Sequence, residues 1–295
     1  MNNPFKGTGI AIVTPFNSDL TIDHKALAAI VEYNIEKGTN YIVISGTTGE
    51  SVTVTKAEKK DIIKTISDTN KGRLPLVLGI GGNNTAAVLE EIKTTDLSGF
   101  AGILSVSPYY SKPTQEGIYQ HFKAVSEASP VPIILYNVPG RTASNMTPET
   151  TLRLAKDFDN IVAVKEAGNN MSQYLHLLRD KPEGFGIISG DDDLVLGVTL
   201  AGGDGVISVI GQALPEDFSK MISLGMKGHA KEAYKIHFKL MEITSLIFSE
   251  NNPAGIKAVL ENLNLCNDSV RLPLVPATKV LKQKIDNFLK AYNKR

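Results

Sequence analysis

Eight short apolar runs recur along the chain at a steady interval, and a helix-like segment follows each of them. The runs are TGIAIV (8–13), YIVIS (41–45), LPLVLGI (74–80), AGILSV (101–106), VPIILY (131–136), IVAVK (161–165), FGIIS (185–189) and DGVISV (204–209). Each is mostly continuous in Ile, Val and Leu, which is typical of strands covered on both faces. Eight strand–helix pairs predict an α/β protein with a (β/α)8 TIM barrel. A doubly wound open sheet is the alternative, and the lack of a dinucleotide-binding glycine motif favours the barrel.

The last 70 or so residues contain no strand signal and read as three more helices, over 227–248, 252–264 and 276–292. These helices need an apolar surface to pack on. We therefore predict a (β/α)8 barrel over residues 1–225 and a C-terminal helical extension of three helices over residues 226–295 that packs on the barrel.

Charge and cysteine content exclude several classes of protein. Lysine plus arginine equals aspartate plus glutamate, at 31 each, so neither a nucleic-acid nor a membrane-surface partner is expected. The start of the chain lacks the order of a secretory signal, and no apolar run approaches the ~18 residues of a membrane span. Cys266 is the only cysteine, which fits a cytoplasmic protein. The five histidines have no ligand spacing, so no metal is expected.

Lys165 ends the sixth apolar run, and active sites of (β/α)8 barrels lie at the carboxyl ends of their strands. A buried ammonium without a partner is costly, and loss of its proton makes lysine a nucleophile. Tyr136 ends the neighbouring strand, where its phenol could move protons for that amine. The alternative is a lysine that extends to solvent and a tyrosine hydroxyl that bonds to the backbone.

Polar residues follow other strands as well. The turn GTTGES (46–51), which contains Thr47 and Thr48, suits an anion such as a carboxylate, although a simple threonine-capped turn is the alternative. Arg141 suits a second carboxylate, although surface arginines are common. Glu166 should face away from Lys165 by strand alternation. The aspartates of SGDD (189–192) are interpreted as helix caps rather than metal ligands.

The motifs GTTGES, PYYSKPTQEGIYQHF, LYNVPGRT, VKEA, SGDD, GGDGVISV and RLPLVP occur in an order that resembles the dihydrodipicolinate synthase and N-acetylneuraminate lyase family. The resemblance covers essentially the whole chain. It is greatest to the dihydrodipicolinate synthase branch, because the neuraminate lyases typically have Ser–Thr in place of the Thr–Thr pair and lack the arginine of YNVPGRT.

The resemblance implies a lyase in which Lys165 forms a Schiff base with pyruvate, without a metal or organic cofactor. The resulting enamine would attack L-aspartate 4-semialdehyde, and cyclisation would give 4-hydroxy-tetrahydrodipicolinate, in the diaminopimelate route to lysine. Tyr136 would shuttle protons through Thr48 to Tyr110, which in the family reaches in from a neighbouring subunit. The resemblance therefore also implies a homotetramer, a dimer of dimers.

The resemblance also assigns substrate-binding residues. Thr47 and Thr48 would hold the pyruvate carboxylate, and Arg141 would receive the carboxylate of the semialdehyde. Gly190 and Ile207 would line the site through their backbone carbonyls.

The chain departs from the family's usual pattern at several positions. Ile80 replaces a hydroxyl residue, Gln212 replaces asparagine, and Ala254–Gly255 stands where Ile–Pro is frequent. The positions that match the family's lysine feedback site are Ser51, Lys56, Lys59, Asn83, Ala87 and Tyr109. Lysine-sensitive members tend to have histidine or glutamate at the position of Lys56 and glutamate at that of Ala87, so we expect weak or absent inhibition by lysine.

Two alternatives remain from the sequence. The chain could be another pyruvate lyase, acting on N-acetylneuraminate or 2-keto-3-deoxy sugar acids, and Arg141 is the residue that discriminates. It could instead be a non-catalytic barrel that binds a keto acid, and trapping of a pyruvate imine distinguishes that case.

Overall fold

The computed structural model describes residues 4–292, in which eight parallel strands close into a barrel. The strands are β1 (Gly7–Ala11), β2 (Tyr41–Ile44), β3 (Leu76–Gly79), β4 (Gly102–Val106), β5 (Ile133–Asn137), β6 (Ile161–Glu166), β7 (Gly186–Ser189) and β8 (Gly205–Ser208). Each strand pairs with its neighbours in sequence, and β8 pairs with β1. This closure confirms the predicted barrel, because an open doubly wound sheet would leave two free edges.

Helices alternate with the strands and continue beyond the barrel. They are α1 (His24–Glu36), α2 (Lys56–Asn70), α3 (Thr85–Thr94), α4 (Gln115–Ala128), α5 (Pro139–Thr142), α6 (Pro148–Asp157), α7 (Met171–Asp180), α8 (Val195–Leu200), α9 (Pro215–Met226), α10 (Ala230–Phe248), α11 (Ala254–Asn262) and α12 (Lys279–Tyr292). A 3-10 turn at Ile210–Gln212 follows β8. The one-turn helix α5, which carries Arg141, was not predicted from the sequence.

Local signals fix where the helices begin. Thr55 and Glu58 form the predicted capping box at the start of α2, since each side chain bonds to the other's backbone N–H. Asp23 caps α1 by accepting a hydrogen bond from the N–H of Ala26.

Strand alternation divides the apolar side chains into two layers. The inner layer fills the barrel and includes Val43, Val77, Leu104, Ile134, Ala163 and Ile188. The outer layer packs between strands and helices and includes Ile42, Leu78, Ile103, Leu135, Val164 and Ile187. Lys165 lies two residues after the inner residue Ala163, so its side chain projects inside the barrel mouth, whereas Glu166 projects outwards.

The three C-terminal helices pack against the last helices of the barrel and against one another. Helix α10 lies against α8 and α9, and α12 lies against α10 and α11. The boundary after residue 225 stays a prediction. Within residues 4–292, no helix has both the length and the apolar character that a membrane span requires.

Candidate active site

Lys165 lies at the centre of the barrel mouth, on the inner face of β6. It is opposite Tyr136 in the register between β5 and β6, and its Nζ lies 4.4 Å from the centroid of the Tyr136 ring. Only 6% of Lys165 is exposed. Within residues 4–292, no side chain forms an ion pair or hydrogen bond with its Nζ. The amine is therefore buried, faces an aromatic ring and is available to a ligand.

A cavity of about 790 Å³ opens at this mouth. The sequence-predicted residues that line it are Thr47, Thr48, Tyr136, Arg141, Lys165 and Gly190. Gly190 is required there by close packing, because a Cβ at that position would lie 2.8 Å from Cε of Lys165 and 2.6 Å from Cβ of Ala167. The structure thus brings the proposed nucleophile, phenol, threonine turn and arginine to one cavity.

The threonine turn offers donors to an anion. Its N–H groups at Gly49 and Glu50 donate within the turn, to the carbonyls of Gly46 and Thr47. The N–H groups of Thr47 and Thr48 have no protein acceptor in the part of the chain that the structure describes. These two donors and the threonine hydroxyls fit a small carboxylate at the cavity wall.

Arg141 lies on α5 at the rim of the cavity and is exposed. Its guanidinium forms no hydrogen bond or ion pair with other residues of the 4–292 range. A free guanidinium at the mouth can bind a carboxylate in bidentate geometry.

Two predicted site residues do not line this cavity in the single chain, and one expected hydrogen bond is not formed. Tyr110 is 89% exposed and has a positive φ of 71°. Ile207 is fully buried in the inner layer of the barrel. Thr48 and Tyr136 share the cavity, but no hydrogen bond joins them, and Oγ1 of Thr48 instead accepts one from Nδ2 of Asn252 at 3.1 Å. The expected proton relay is therefore not formed within one chain.

A second cavity of about 500 Å³ shares Thr47, Tyr136 and Arg141 with the first. It contains four of the expected effector-site residues: Ser51, Lys56, Lys59 and Tyr109. Asn83 and Ala87 line neither cavity. Nζ of Lys59 lies 2.6 Å from Oε1 of Glu91, so the carboxylate of this cavity already has a cation.

The two departures from the family pattern in the barrel have different positions. Ile80 lines the second cavity and is 1% exposed. The side chain of Gln212 lines neither cavity, because it accepts from the N–H of Val13 and donates to the carbonyls of Ala11 and Val209. Gln212 therefore joins β1 to the end of β8.

The aspartates of the SGDD motif do not cap a helix, which corrects their interpretation from the sequence. Asp191 accepts from the N–H of Asn169, and Asp192 accepts from the N–H groups of Val209 and Ile210 at 3.0 and 2.9 Å. Helix α8 begins only at Val195 and has no side-chain cap. Burial raises the pKa of Asp192 to about 6. Within residues 4–292, no group of acidic, histidine or cysteine side chains could hold a metal ion.

Several cavity residues could not be found from sequence motifs. Asn252 and the α10 residues His237, Met241 and Phe248 also line this cavity. Burial lowers the pKa of His237. The only available signal was the apolar pattern of α10, which indicates packing and not the identity of the surface it packs against.

Glu166 lies behind Lys165 on the outer face of β6, as strand alternation predicted. Its carboxylate accepts from Nδ2 of Asn137 at 2.9 Å and from Nε2 of Gln173 at 2.8 Å. Burial raises its pKa to about 7, although these hydrogen bonds favour the ionised form. A buried acid, bonded to two amide side chains, thus lies next to the nucleophile on the other face of β6.

This pKa predicts a pH-dependent stability. The folded protein binds the Glu166 proton more tightly than the unfolded chain, whose carboxyl has its ordinary pKa of 4.5. The contribution is complete below pH 4.5 and is lost as the pH rises through about 7, a change of about 3 kcal/mol. We expect the free energy of unfolding of the protein to fall across this range relative to that of Glu166→Gln, in denaturant titrations at pH 5 and pH 8.

The prediction concerns the change in the free energy of unfolding between pH 5 and pH 8. The amide of Glu166→Gln also alters the hydrogen bonds around it, but this effect is the same at both pH values. Glu183→Gln is the matched control, since Glu183 is exposed. Parallel stability curves for the protein and Glu166→Gln would contradict the prediction.

Comparison with known proteins agrees with this geometry. The model of the dihydrodipicolinate synthetase family matches residues 4–292. The chain is 56% identical to the 4-hydroxy-tetrahydrodipicolinate synthase of Flavobacterium psychrophilum, over 98% of this chain and 99% of the relative. It superposes with a TM-score of 0.96 on the dihydrodipicolinate synthase of Thermotoga maritima, at 37% identity and 99% coverage of both chains. A monomeric dihydrodipicolinate synthase variant gives a TM-score of 0.95 at 37% identity, with 98% of this chain and 97% of that chain covered.

Proposed function

The chain belongs to the dihydrodipicolinate synthetase family, and we propose that it condenses pyruvate with L-aspartate 4-semialdehyde to give 4-hydroxy-tetrahydrodipicolinate. It is a lyase of lysine biosynthesis by the diaminopimelate route. The observation that carries the proposal is the buried amine of Lys165, which shares a cavity with Tyr136, the threonine turn and Arg141.

The reaction begins at Nζ of Lys165, which attacks the keto carbon of pyruvate. Loss of water gives an imine, and the imine accepts the electron pair that remains when a methyl proton leaves. The resulting enamine forms a carbon–carbon bond to the aldehyde carbon of the semialdehyde. The amine of the semialdehyde then replaces Lys165 at the imine carbon, which closes the ring and releases the enzyme. No metal or organic cofactor takes part in these steps.

The cavity offers a partner for each charged group of the substrates. The free N–H groups of Thr47 and Thr48, with their hydroxyls, bind the carboxylate of pyruvate next to Lys165. Arg141 at the rim binds the carboxylate of the semialdehyde in bidentate fashion. Gly190 and Ile207 contribute backbone carbonyls. Two carboxylate sites in the same cavity as one amine suit a keto acid and a carboxylated aldehyde.

Proton transfer uses Tyr136, Thr48 and Tyr110 of a neighbouring subunit. The exposure of Tyr110 supports this role, because a side chain that lies outside its own cavity is free to enter another chain's. Val52 and Leu272, which are 87% and 77% exposed, also suit an interface. We propose a cytoplasmic homotetramer, a dimer of dimers, and light scattering of the purified protein measures that mass.

The experiment that tests the function is turnover of pyruvate with L-aspartate 4-semialdehyde, coupled to the next reductase and followed by loss of NADPH. The proposal expects turnover that depends on both substrates. Turnover with a sugar-derived aldehyde but not with the semialdehyde would replace it with another pyruvate lyase. If pyruvate binds without turnover or imine formation, the chain is a non-catalytic binding protein.

We expect lysine to inhibit this turnover only weakly, with a half-maximal concentration above about 1 mM. The ammonium of Lys56 repels the ammonium of the effector, Ala87 supplies no carboxylate, and Glu91 is already paired with Lys59. Initial rates at increasing lysine measure this. The variant Lys56→Glu removes the repulsion and is expected to bind lysine more tightly. Half-maximal inhibition of the unaltered protein below about 1 mM would show that this charge argument is wrong.

A further inference from the structure

Glu50 ends the threonine turn and lies three residues after Thr47. Its backbone has a left-handed φ of 53°, and its N–H donates to the carbonyl of Thr47 at 3.1 Å. The preceding residue, Gly49, is held from the other side, because its carbonyl accepts from Oγ1 of Thr14 at 2.7 Å. The position of Glu50 is thus coupled directly to the donors that face the cavity.

Both oxygens of the Glu50 carboxylate are bound by the C-terminal extension. Oε1 accepts from Nζ of Lys257 on α11 at 2.6 Å, and Oε2 accepts from the N–H of Arg271 at 2.9 Å. Only 1% of the Glu50 side chain and none of the Lys257 side chain is exposed. A buried ion pair keeps its geometry only when the remaining donors and acceptors are also bonded.

Those remaining groups are bonded. Nζ of Lys257 also donates to the carbonyl of Ser269 at 2.7 Å and lies 4.2 Å from the centroid of the Phe16 ring. The side chain of Arg271 continues the connection, because its guanidinium bonds to Glu58 and to the carbonyl of Thr53. The extension therefore contacts the segment after the turn as well as the turn itself.

Asn252, which precedes α11, makes an independent contact with the same turn. Its Nδ2 donates to Oγ1 of Thr48 at 3.1 Å, while the residue is 6% exposed and lines the cavity. One stretch of the extension thus reaches both the buried end of the turn, at Glu50, and its cavity face, at Thr48.

We propose that the C-terminal extension positions the carboxylate-binding turn, with Lys257 acting through Glu50 to hold Thr47 and Thr48 where they receive the carboxylate of pyruvate. The inference rests on the proposed function and adds a positioning residue 92 positions after the nucleophile in the chain. Lys257 does not touch the substrate. Its effect arises because a shift of about 1 Å in a substrate-binding group weakens productive binding up to about 100-fold.

The test is the double variant Glu50→Gln/Lys257→Met, compared with the single variant Glu50→Gln. Lys257→Met alone would leave a buried carboxylate without its cation, whereas the double variant removes both charges and keeps an oxygen for the N–H of Arg271. Glu50→Gln alone removes the anion, but its amide oxygen and the carbonyl of Ser269 can still accept from Nζ of Lys257. The readout is the pyruvate concentration that half-saturates trapping by borohydride, with kcat and the KM for the semialdehyde measured in parallel.

We expect half-saturating pyruvate to rise about 10- to 100-fold in the double variant and less in Glu50→Gln, while kcat at saturation stays within about threefold. Lys282→Met is the matched control. It removes an ion pair to Glu261 and Asp268 within the same extension, away from the turn, and is expected to leave pyruvate saturation unchanged.

Two results would overturn the proposal. The first is a folded variant, by circular dichroism, that saturates with pyruvate as the unaltered protein does. The second is a loss of thermal stability and kcat with unchanged pyruvate saturation, which a merely structural ion pair would give. Failure of the proposed function looks different, because the unaltered protein itself would then trap no pyruvate.

Discussion

Replacement of Lys165 by alanine is expected to lower turnover of pyruvate with L-aspartate 4-semialdehyde by at least about 10,000-fold. The amine forms the bond to the keto carbon, and no other lysine lines the cavity within residues 4–292. Alanine breaks no ion pair or hydrogen bond of the Lys165 side chain within residues 4–292, so the fold should persist. The coupled assay at saturating substrates measures the loss.

The matched control for this variant is Lys156→Ala. Lys156 lies in α6 and is exposed, so its removal changes the net charge by the same amount without touching the cavity. The control is expected to keep the full rate. Retention of more than about 1% of the rate in Lys165→Ala would assign the chemistry to another group.

Arg141→Ala is expected to lower kcat/KM for the semialdehyde about 100-fold and to leave half-saturation by pyruvate unchanged. The loss corresponds to one bidentate, charge-assisted contact, of about 2 to 3 kcal/mol. Arg141→Lys keeps the charge but not the planar guanidinium, so its kcat/KM should lie between that of the unaltered protein and that of Arg141→Ala. Steady-state kinetics with each substrate varied in turn measure the effect on the semialdehyde separately from the effect on pyruvate.

Arg179→Ala is the matched control, since Arg179 is an exposed arginine that pairs with Asp180 outside the cavity. It is expected to change neither substrate's kinetics. If Arg141→Ala left the dependence on the semialdehyde unchanged, the second substrate would not be a carboxylated aldehyde held at this rim. The neuraminate and sugar-acid alternatives would then return.

Local patterns were sufficient to predict the barrel, whereas they left open whether Lys165 enters the barrel mouth or extends to solvent. Strand periodicity is a property of neighbouring residues, and it requires Lys165 to share the face of Ala163 and Glu166 to take the opposite face. The structure confirms both placements. Tyr136 follows the same rule from Ile134, and the register places it opposite Lys165; one βα unit of separation predicted neighbouring strands but not that both side chains point inward.

Contacts between distant parts of the chain were not predictable in this way. Asn252 bonds to Thr48 across 204 positions, and Lys257 bonds to Glu50 across 207. No periodicity in either segment depends on the other, so the sequence predicted an extension that packs on the barrel but not one that reaches the cavity. The hydrogen bonds of Asp192 could not be predicted for the same reason. Asp192 follows β7, whereas the N–H group of Val209 that it binds follows β8.

The proton relay through Tyr110 could not be predicted from residue patterns for a different reason. Tyr110 projects away from its own cavity, and its partner atoms belong to another subunit in the proposed assembly. The resemblance to the family supplied that role, and the fold of one chain contributes only the exposure of the side chain.

The central claim is that Lys165 forms an imine with pyruvate, and the most direct measurement of it is reductive trapping. The protein is incubated with pyruvate and borohydride, weighed intact by mass spectrometry, and then digested to locate the adduct. The account predicts one trapped pyruvate per chain, on the peptide that contains Lys165, and none in Lys165→Ala. An unmodified chain, or an adduct on any other lysine, would contradict it.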